Sequence, residues 1–228
     1  MSSRVLIACR VMKAELDELR GETPEVEVRY LDQGLHMTPQ KMPALIQEQV
    51  DAVSGYAEEV VLAYGLCANG IVGVVAPDQG LLVPRCHDCI ALFMGSMAAY
   101  DRAFGSNPAT FYLTRGWIEE GKDPLGIVEN EYTARVGRDR AIRVMRKELK
   151  HYTHFTFIAS GHADLAPYRE RARENAVFFG KNYSEIPGSI GYLERMIRGP
   201  FDREDFFRID AGRAITQEMF LIEADACA

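Results

Sequence analysis

Short apolar runs recur along the chain, and between them lie stretches in which apolar positions return every third or fourth residue. The first run, RVLIAC from Arg4 to Cys9, reads as a strand. VMKAELDELR follows with Val11, Leu16 and Leu19 on one helical face, and Gly21 supplies the stop. VEVRYL (Val26 to Leu31) is a second strand. PQKMPALIQEQVDAVSGY is a helix with Pro39 and Pro43 suited to its first turn. EVVLAYG (Glu59 to Gly65) and Leu81 to Arg85 are the third and fourth strands, the latter entered through the turn residues Pro77-Asp78-Gln79-Gly80.

The second half keeps the rhythm. Its strands are Thr110 to Thr114, His154 to Ser160, Tyr183 to Ile186 and Phe206 to Ile209. Helical stretches fall from about Pro124 to His151, from Pro167 to Phe179 and over GYLERMIRG. Strands alternating with helices predict an α/β fold with mostly parallel sheets flanked by helices. Four strands in each half predict two Rossmann-like lobes, residues 1–106 and 107–228, meeting at the turn-rich stretch FGSNPAT.

In parallel α/β sheets ligands gather at the carboxyl ends of the strands, where the strand-to-helix loops lie. In the first half those ends carry Cys9-Arg10, then Asp32 with Gly34 and His36 beyond, then Tyr64-Gly65-Leu66-Cys67-Ala68-Asn69-Gly70, then Arg85-Cys86-His87-Asp88-Cys89. Four of the five cysteines thus fall on one edge; the fifth, Cys227, lies near the end of the chain. Thiolates and imidazole from separate loops are the donors zinc prefers, and soft iron sites accept the same sulfurs. Cys9, Cys67, His87 and Cys89 are therefore the expected metal ligands, with zinc first and an iron–sulfur cluster as the alternative. Asp88 is an acceptor that could orient the imidazole. Gly65 and Gly70, flanking Cys67 and Asn69, suggest positive φ or close backbone approach to a cofactor. The bland account is that cysteines pack as small hydrophobes. A third account makes Cys86-x-x-Cys89 a redox pair at a helix start.

Composition narrows the function. A net charge of -7 with 33 acidic against 26 basic side chains argues against nucleic acid and anionic lipid as partners. No apolar stretch reaches the ~20 residues of a bilayer span, and the amino terminus runs straight into a strand, so a cytoplasmic protein is expected. Reduced thiols fit that compartment. Arg115-Gly116-Trp117 could stack on a planar ligand or pack between lobes. Ser160-Gly161-His162-Ala163-Asp164 is too local in sequence to be a catalytic triad. The turn Gly188-Ser189-Ile190-Gly191 is a weak anion site. Arg135 to Lys150 carries seven Arg or Lys with Ile142, Met145 and Leu149 as an apolar stripe, either a solvated face or a dock for an acidic partner.

IACR near the start, YGLCANG, PRCHDC with LFMGS after it, TRGW and GSIGYLERMIRG together resemble the domain-of-unknown-function family 1638 (DUF1638) over nearly the whole chain. The resemblance marks Cys9, Gly65, Cys67, Gly70, Pro84, His87, Asp88, Cys89, Gly95, Gly116 and Trp117 as characteristic and leaves Cys86 outside the pattern. It implies no established activity. It does imply an association with corrinoid-dependent methyltransferases, corrinoid-binding proteins and their reductive activators in one-carbon metabolism.

The expectation drawn from both lines is a metal-binding protein of corrinoid-linked one-carbon metabolism. If it is an enzyme, it is a metal-dependent methyltransferase-type one acting on a small-molecule substrate, with Asp88, Arg85 and Arg115 as catalytic candidates and Trp117 lining the substrate side. The rivals are an iron–sulfur protein with a redox or lyase role, and a non-enzymatic adaptor or chaperone for a corrinoid protein or methyltransferase.

Overall fold

The structure is a computed structural model that describes residues 4–34, 39–161 and 164–221. His36, His162 and Cys227 lie outside these. Two sheets form the frame. The first half of the chain runs β1 (Arg4–Cys9), α1 (Lys13–Arg20), β2 (Val26–Leu31), α2 (Met42–Ser54), β3 (Glu59–Ala63), β4 (Leu81–Pro84), α3 (Ile90–Met94) and α4 (Met97–Ser106). The second runs β5 (Thr110–Leu113), α5 (Arg115–Glu119), α6 (Pro124–Ile127), α7 (Thr133–Val136), α8 (Arg138–Glu148), β6 (His154–Ala159), α9 (Ala166–Phe179), β7 (Asn182–Pro187), α10 (Gly191–Arg198), β8 (Phe206–Ile209) and α11 (Glu218–Leu221).

The first sheet has the order β2-β1-β3-β4-β8, and the second β5-β6-β7. All pairs are parallel except β4 with β8, where Leu81 faces Ile209 and Pro84 faces Phe206. The fold is therefore α/β with mostly parallel sheets, as the alternation predicts. The strands divide five and three, however, not four and four. The last strand FFRI returns to the first sheet, and α10 goes with it: Tyr192, Leu193, Met196 and Ile197 are buried in the core of the first sheet. Four large apolar side chains on one helix explain the return, since each gains roughly 1.5–3 kcal/mol on full burial and the second sheet's core is already filled by Phe155, Phe157 and Phe179.

Burial follows sheet position. β1 and β3 are central, covered on both faces, and read as continuous apolar runs. The edge strands β2 and β7 alternate polar and apolar residues and are only half-buried. The long helical region expected over 124–151 is interrupted by a π-helical turn at Val128–Tyr132 and again at Gly137, whose φ of 78° breaks the helix. In α8 Ala141 and Met145 are buried in the core, with Leu149 just past the helix end; Ile142 is only partly buried, and the arginines and lysines are exposed.

The lobes meet through the loops that follow the strands of each sheet. Gly116 on α5 lies against the backbone of Val11, which follows β1. The Ser189 N–H, after β7, donates to the carbonyl of Phe93 on α3 at 2.9 Å. Trp117 packs edge-on against Phe93 with centroids 5.7 Å apart and touches both cores. Lys122 bridges Asp32 at the end of β2 and Glu131 across the junction.

Candidate functional site

The carboxyl ends of β1, β3 and β4 bring sulfurs together. Cys67 Sγ and Cys89 Sγ lie 3.0 Å apart although 22 residues separate them in sequence. Two backbone bonds zip their loops: Leu66 N–H donates to the Cys86 carbonyl at 2.9 Å and Cys67 N–H to the His87 carbonyl at 3.0 Å. The Gly65 N–H points at Cys89 Sγ at 3.5 Å. Gly65 is required because a Cβ there would lie 2.9 Å and 3.0 Å from the backbone of Asp88. The expected close approach is real, but its partner is the protein's own chain. Gly70 likewise sits against Met42, where a Cβ would meet the sulfur at 2.7 Å.

The expected positive φ falls elsewhere. Neither Gly65 nor Gly70 is left-handed; the three residues between them are, with φ of 47° at Cys67, 54° at Ala68 and 67° at Asn69. Non-glycine residues in this region each cost on the order of 1 kcal/mol or more. The zipped loops hold the run in place and set where the Cys67 sulfur sits. Ala68 is exposed, so glycine there loses the Cβ penalty and nothing else. Ala68→Gly is expected to stabilise the protein by roughly 0.5–1 kcal/mol after the extra unfolded-state entropy is subtracted, as a rise in the urea midpoint.

The thiols form an electrostatic unit. Cys89 is pushed well above the usual thiol range by its hydrogen bond to Cys67 and by burial. Cys9 is raised by burial and by the neighbouring Cys89. Tyr64, at the end of β3, is raised by burial and then by Cys9, Cys89 and Cys67 together. The buried phenol ring thus lies within the electrostatic reach of all three thiols, which its place in AYGLC does not announce. Burial holds Cys9, Cys89 and Tyr64 toward their neutral forms, because charge is costly in so dry a place.

The other site candidates are distributed around these thiols. Cys86 is buried and raised by desolvation and then by Cys89 and Asp88. The His87 side chain is exposed, and its link to the site is the carbonyl that Cys67 holds. Asp88 Oδ1 accepts from the Ile90 N–H at 2.8 Å, starting α3. The Arg85 guanidinium lies 4.0 Å over the ring of Phe207 on β8. Arg115 pairs with Glu119 at 2.7 Å and, with Arg10, Lys13 and Glu120, lines a cavity of about 320 Å³ between the lobes. Asn69 bonds Gln217 at 3.3 Å. Trp117 packs the lobe junction, the second of its two sequence readings. Among the described residues no three His, Cys, Asp or Glu side chains are grouped so as to hold a metal ion.

One group was missed altogether. Glu15 on α1 is 2% exposed, and neither carboxylate oxygen has a hydrogen-bond partner. A Cβ at Gly161, two residues past the end of β6, would come within 3.9 Å of the Glu15 Cγ, and the adjacent Ser160 hydroxyl is also buried without a partner.

With this geometry in hand, comparison with known families is decisive on one point. The family described as protein of unknown function (DUF1638) matches residues 30–197, well over half of the 228. The chain belongs to this family. The DUF1638 match includes Cys67, Cys86 and Cys89 and begins after Cys9. No curated protein and no solved structure matches the chain. No helix among the described residues is long and apolar enough to cross a membrane.

Proposed function

We propose that this DUF1638 protein is a cytoplasmic metal-binding protein in which the thiols at the ends of β1, β3 and β4 hold a soft metal, zinc in the first instance. The observation that carries the reading is the 3.0 Å approach of Cys67 and Cys89 Sγ, with Cys9 buried at the end of the neighbouring strand β1. The donor chemistry fits as far as the pair goes: Cys67 and Cys89 are two soft sulfurs in contact, and a third would have to come from Cys9, which stands outside that contact. The spacing fits less closely. Two sulfurs on one tetrahedral zinc at bonds of about 2.3 Å stand roughly 3.8 Å apart, so the pair, now 3.0 Å apart, would open by about 0.8 Å to take the ion. Cys67 and Cys89 are the core donors, Cys9 the third, and His87 the fourth candidate from the loop surface. A metal held with one position open would supply Lewis acidity toward a bound thiol or water. The chain's own residues would supply the dry setting, through Tyr64 and the β1 and β3 ends. Methyl transfer in corrinoid-linked one-carbon metabolism is the chemistry that the family resemblance suggests for such a site.

Metal analysis tests it. Protein purified with and without oxygen is expected to carry stoichiometric metal, and Cys67→Ala and Cys89→Ala are each expected to lose more than nine-tenths of it, with Cys9→Ala weakened. Retention of full metal in all three variants would overturn the reading. A brown protein would move it from zinc to an iron–sulfur cluster. The adaptor reading draws on α8, where Arg138, Arg140, Arg143, Arg146 and Lys147 are exposed on a chain that is acidic overall. It gains if the metal-free variants fold and still bind a corrinoid protein.

A further inference from the structure

We infer that Cys67 and Cys89 are a dithiol–disulfide pair, and that closing the disulfide excludes the metal assigned to the same sulfurs above. The first half rests on geometry alone; the second rests on the proposed metal reading. The CHDC stretch invites a pairing of Cys86 with Cys89, but the short sulfur contact is instead between Cys67 and Cys89, on different loops. A disulfide needs about 2.05 Å between sulfurs, so the pair is about 1 Å from bonding, and the backbone bonds that zip residues 66–67 to 86–87 keep both ends in register.

Exposure sets the order of events. Cys67 is 9% exposed, Cys89 3% and Cys9 1%, so an oxidant entering from solvent meets Cys67 first. The co-reactant is a low-molecular-weight disulfide. The Cys67 sulfur attacks it, breaking its S–S bond, forming a mixed disulfide and releasing one small thiol that takes up the proton. The Cys89 sulfur then displaces the second small thiol, which carries off the second proton. Two protein thiols are oxidised by two electrons, one small disulfide is reduced to two thiols, and no atom is unaccounted for. Both sulfurs then share their bonding electron pair with each other, and neither remains a thiolate donor for a metal.

The test uses the full chain, reduced and stripped of metal, equilibrated in glutathione buffers of increasing oxidised fraction. The reading is a tryptic digest analysed by mass spectrometry. Arg85 lies between the two cysteines, so cleavage there turns a Cys67–Cys89 bond into a cross-link between two peptides. Fragmentation then separates Cys86 from Cys89. The cross-link is expected in the wild type and in Cys86→Ser, and not in Cys89→Ser, with circular dichroism confirming that each variant is folded. Zinc binding, followed with a chromogenic chelator, is expected to fall at least tenfold on oxidation and to return with reductant. No cross-link at any glutathione ratio, or one made through Cys86, would overturn the inference. If the cross-link forms while the reduced protein binds no zinc, the dithiol stands and the metal reading falls. If zinc binds stoichiometrically and no cross-link forms, the metal reading stands and this inference falls.

Discussion

Gly116→Ala is expected to destabilise the protein by about 3 kcal/mol or more, enough to lower the melting midpoint by roughly 10 °C. A Cβ on residue 116 would lie 1.7 Å from the carbonyl oxygen of Val11 and 2.7 Å from its carbonyl carbon. Both obstacles are backbone, so no side-chain rotation can relieve the clash. Relief requires α5 to withdraw from the segment after β1, and Trp117, one residue on, would leave its edge-on contact with Phe93. The cost is thus shared between steric strain and lost burial at the junction of the two cores. Gly105→Ala is the matched control. That glycine lies in α4 with nothing near its would-be Cβ, and alanine there is expected to stabilise by about 0.5–1 kcal/mol through helix propensity. Urea unfolding of both variants beside the parent checks the pair. A Gly116→Ala protein as stable as the parent would mean that the lobes are not in contact at this point.

Much of this arrangement could be seen in the amino-acid pattern, because it depends on local periodicity. β1, β2 and β8 begin and end at the predicted residues, and α9 and α10 differ from expectation by a residue or so at their ends. Sheet membership could not be seen. FFRI spells a strand in either sheet, and its pairing with β4 is decided by where α10 buries its apolar face. The short helices α3 and α4 also escaped, since IALFM has the composition of a buried strand as much as of a helix. At the candidate site, the placing of cysteines at strand ends was legible, and so was the need for glycine at position 65. The identity of the partners was not: Cys86 and Cys89 are neighbours in sequence, yet the short sulfur contact crosses between two loops. Positive φ was expected at glycines and occurs at Cys67, Ala68 and Asn69, where long-range hydrogen bonds override local preference. Glu15 reads as one more charged residue of KAELDELR. Its burial depends on segments far away in the chain, since α1 packs against α5 and α10 and the loop after β6 passes near the Glu15 side chain, which no local pattern reports.

That buried carboxyl should make stability fall as pH rises. Burial raises the Glu15 value from the ordinary 4.5 to about 7; the nearby Arg115 charge works against this, and Glu119 and Glu18 work with it. The folded chain therefore keeps a proton here that the unfolded chain has already released between those two values. The contribution of the neutral carboxyl is fully present below about pH 4.5, declines through the interval, and is gone once pH passes about 7. Its size is about 3 kcal/mol, opposite in sign to the usual behaviour of a surface carboxylate paired with a cation. Other groups titrate over the same range, so the informative quantity is the difference between the parent and Glu15→Gln, which keeps the shape and removes the proton equilibrium. Glutamine is expected to leave stability at pH 5 within about 1 kcal/mol and to raise it by about 2–3 kcal/mol at pH 8, measured as the urea unfolding free energy. Parallel pH profiles for the two proteins would show that Glu15 is solvated in the folded state. Convergence at low pH and separation at high pH would show that the junction between the lobes is dry where α1 meets the end of β6.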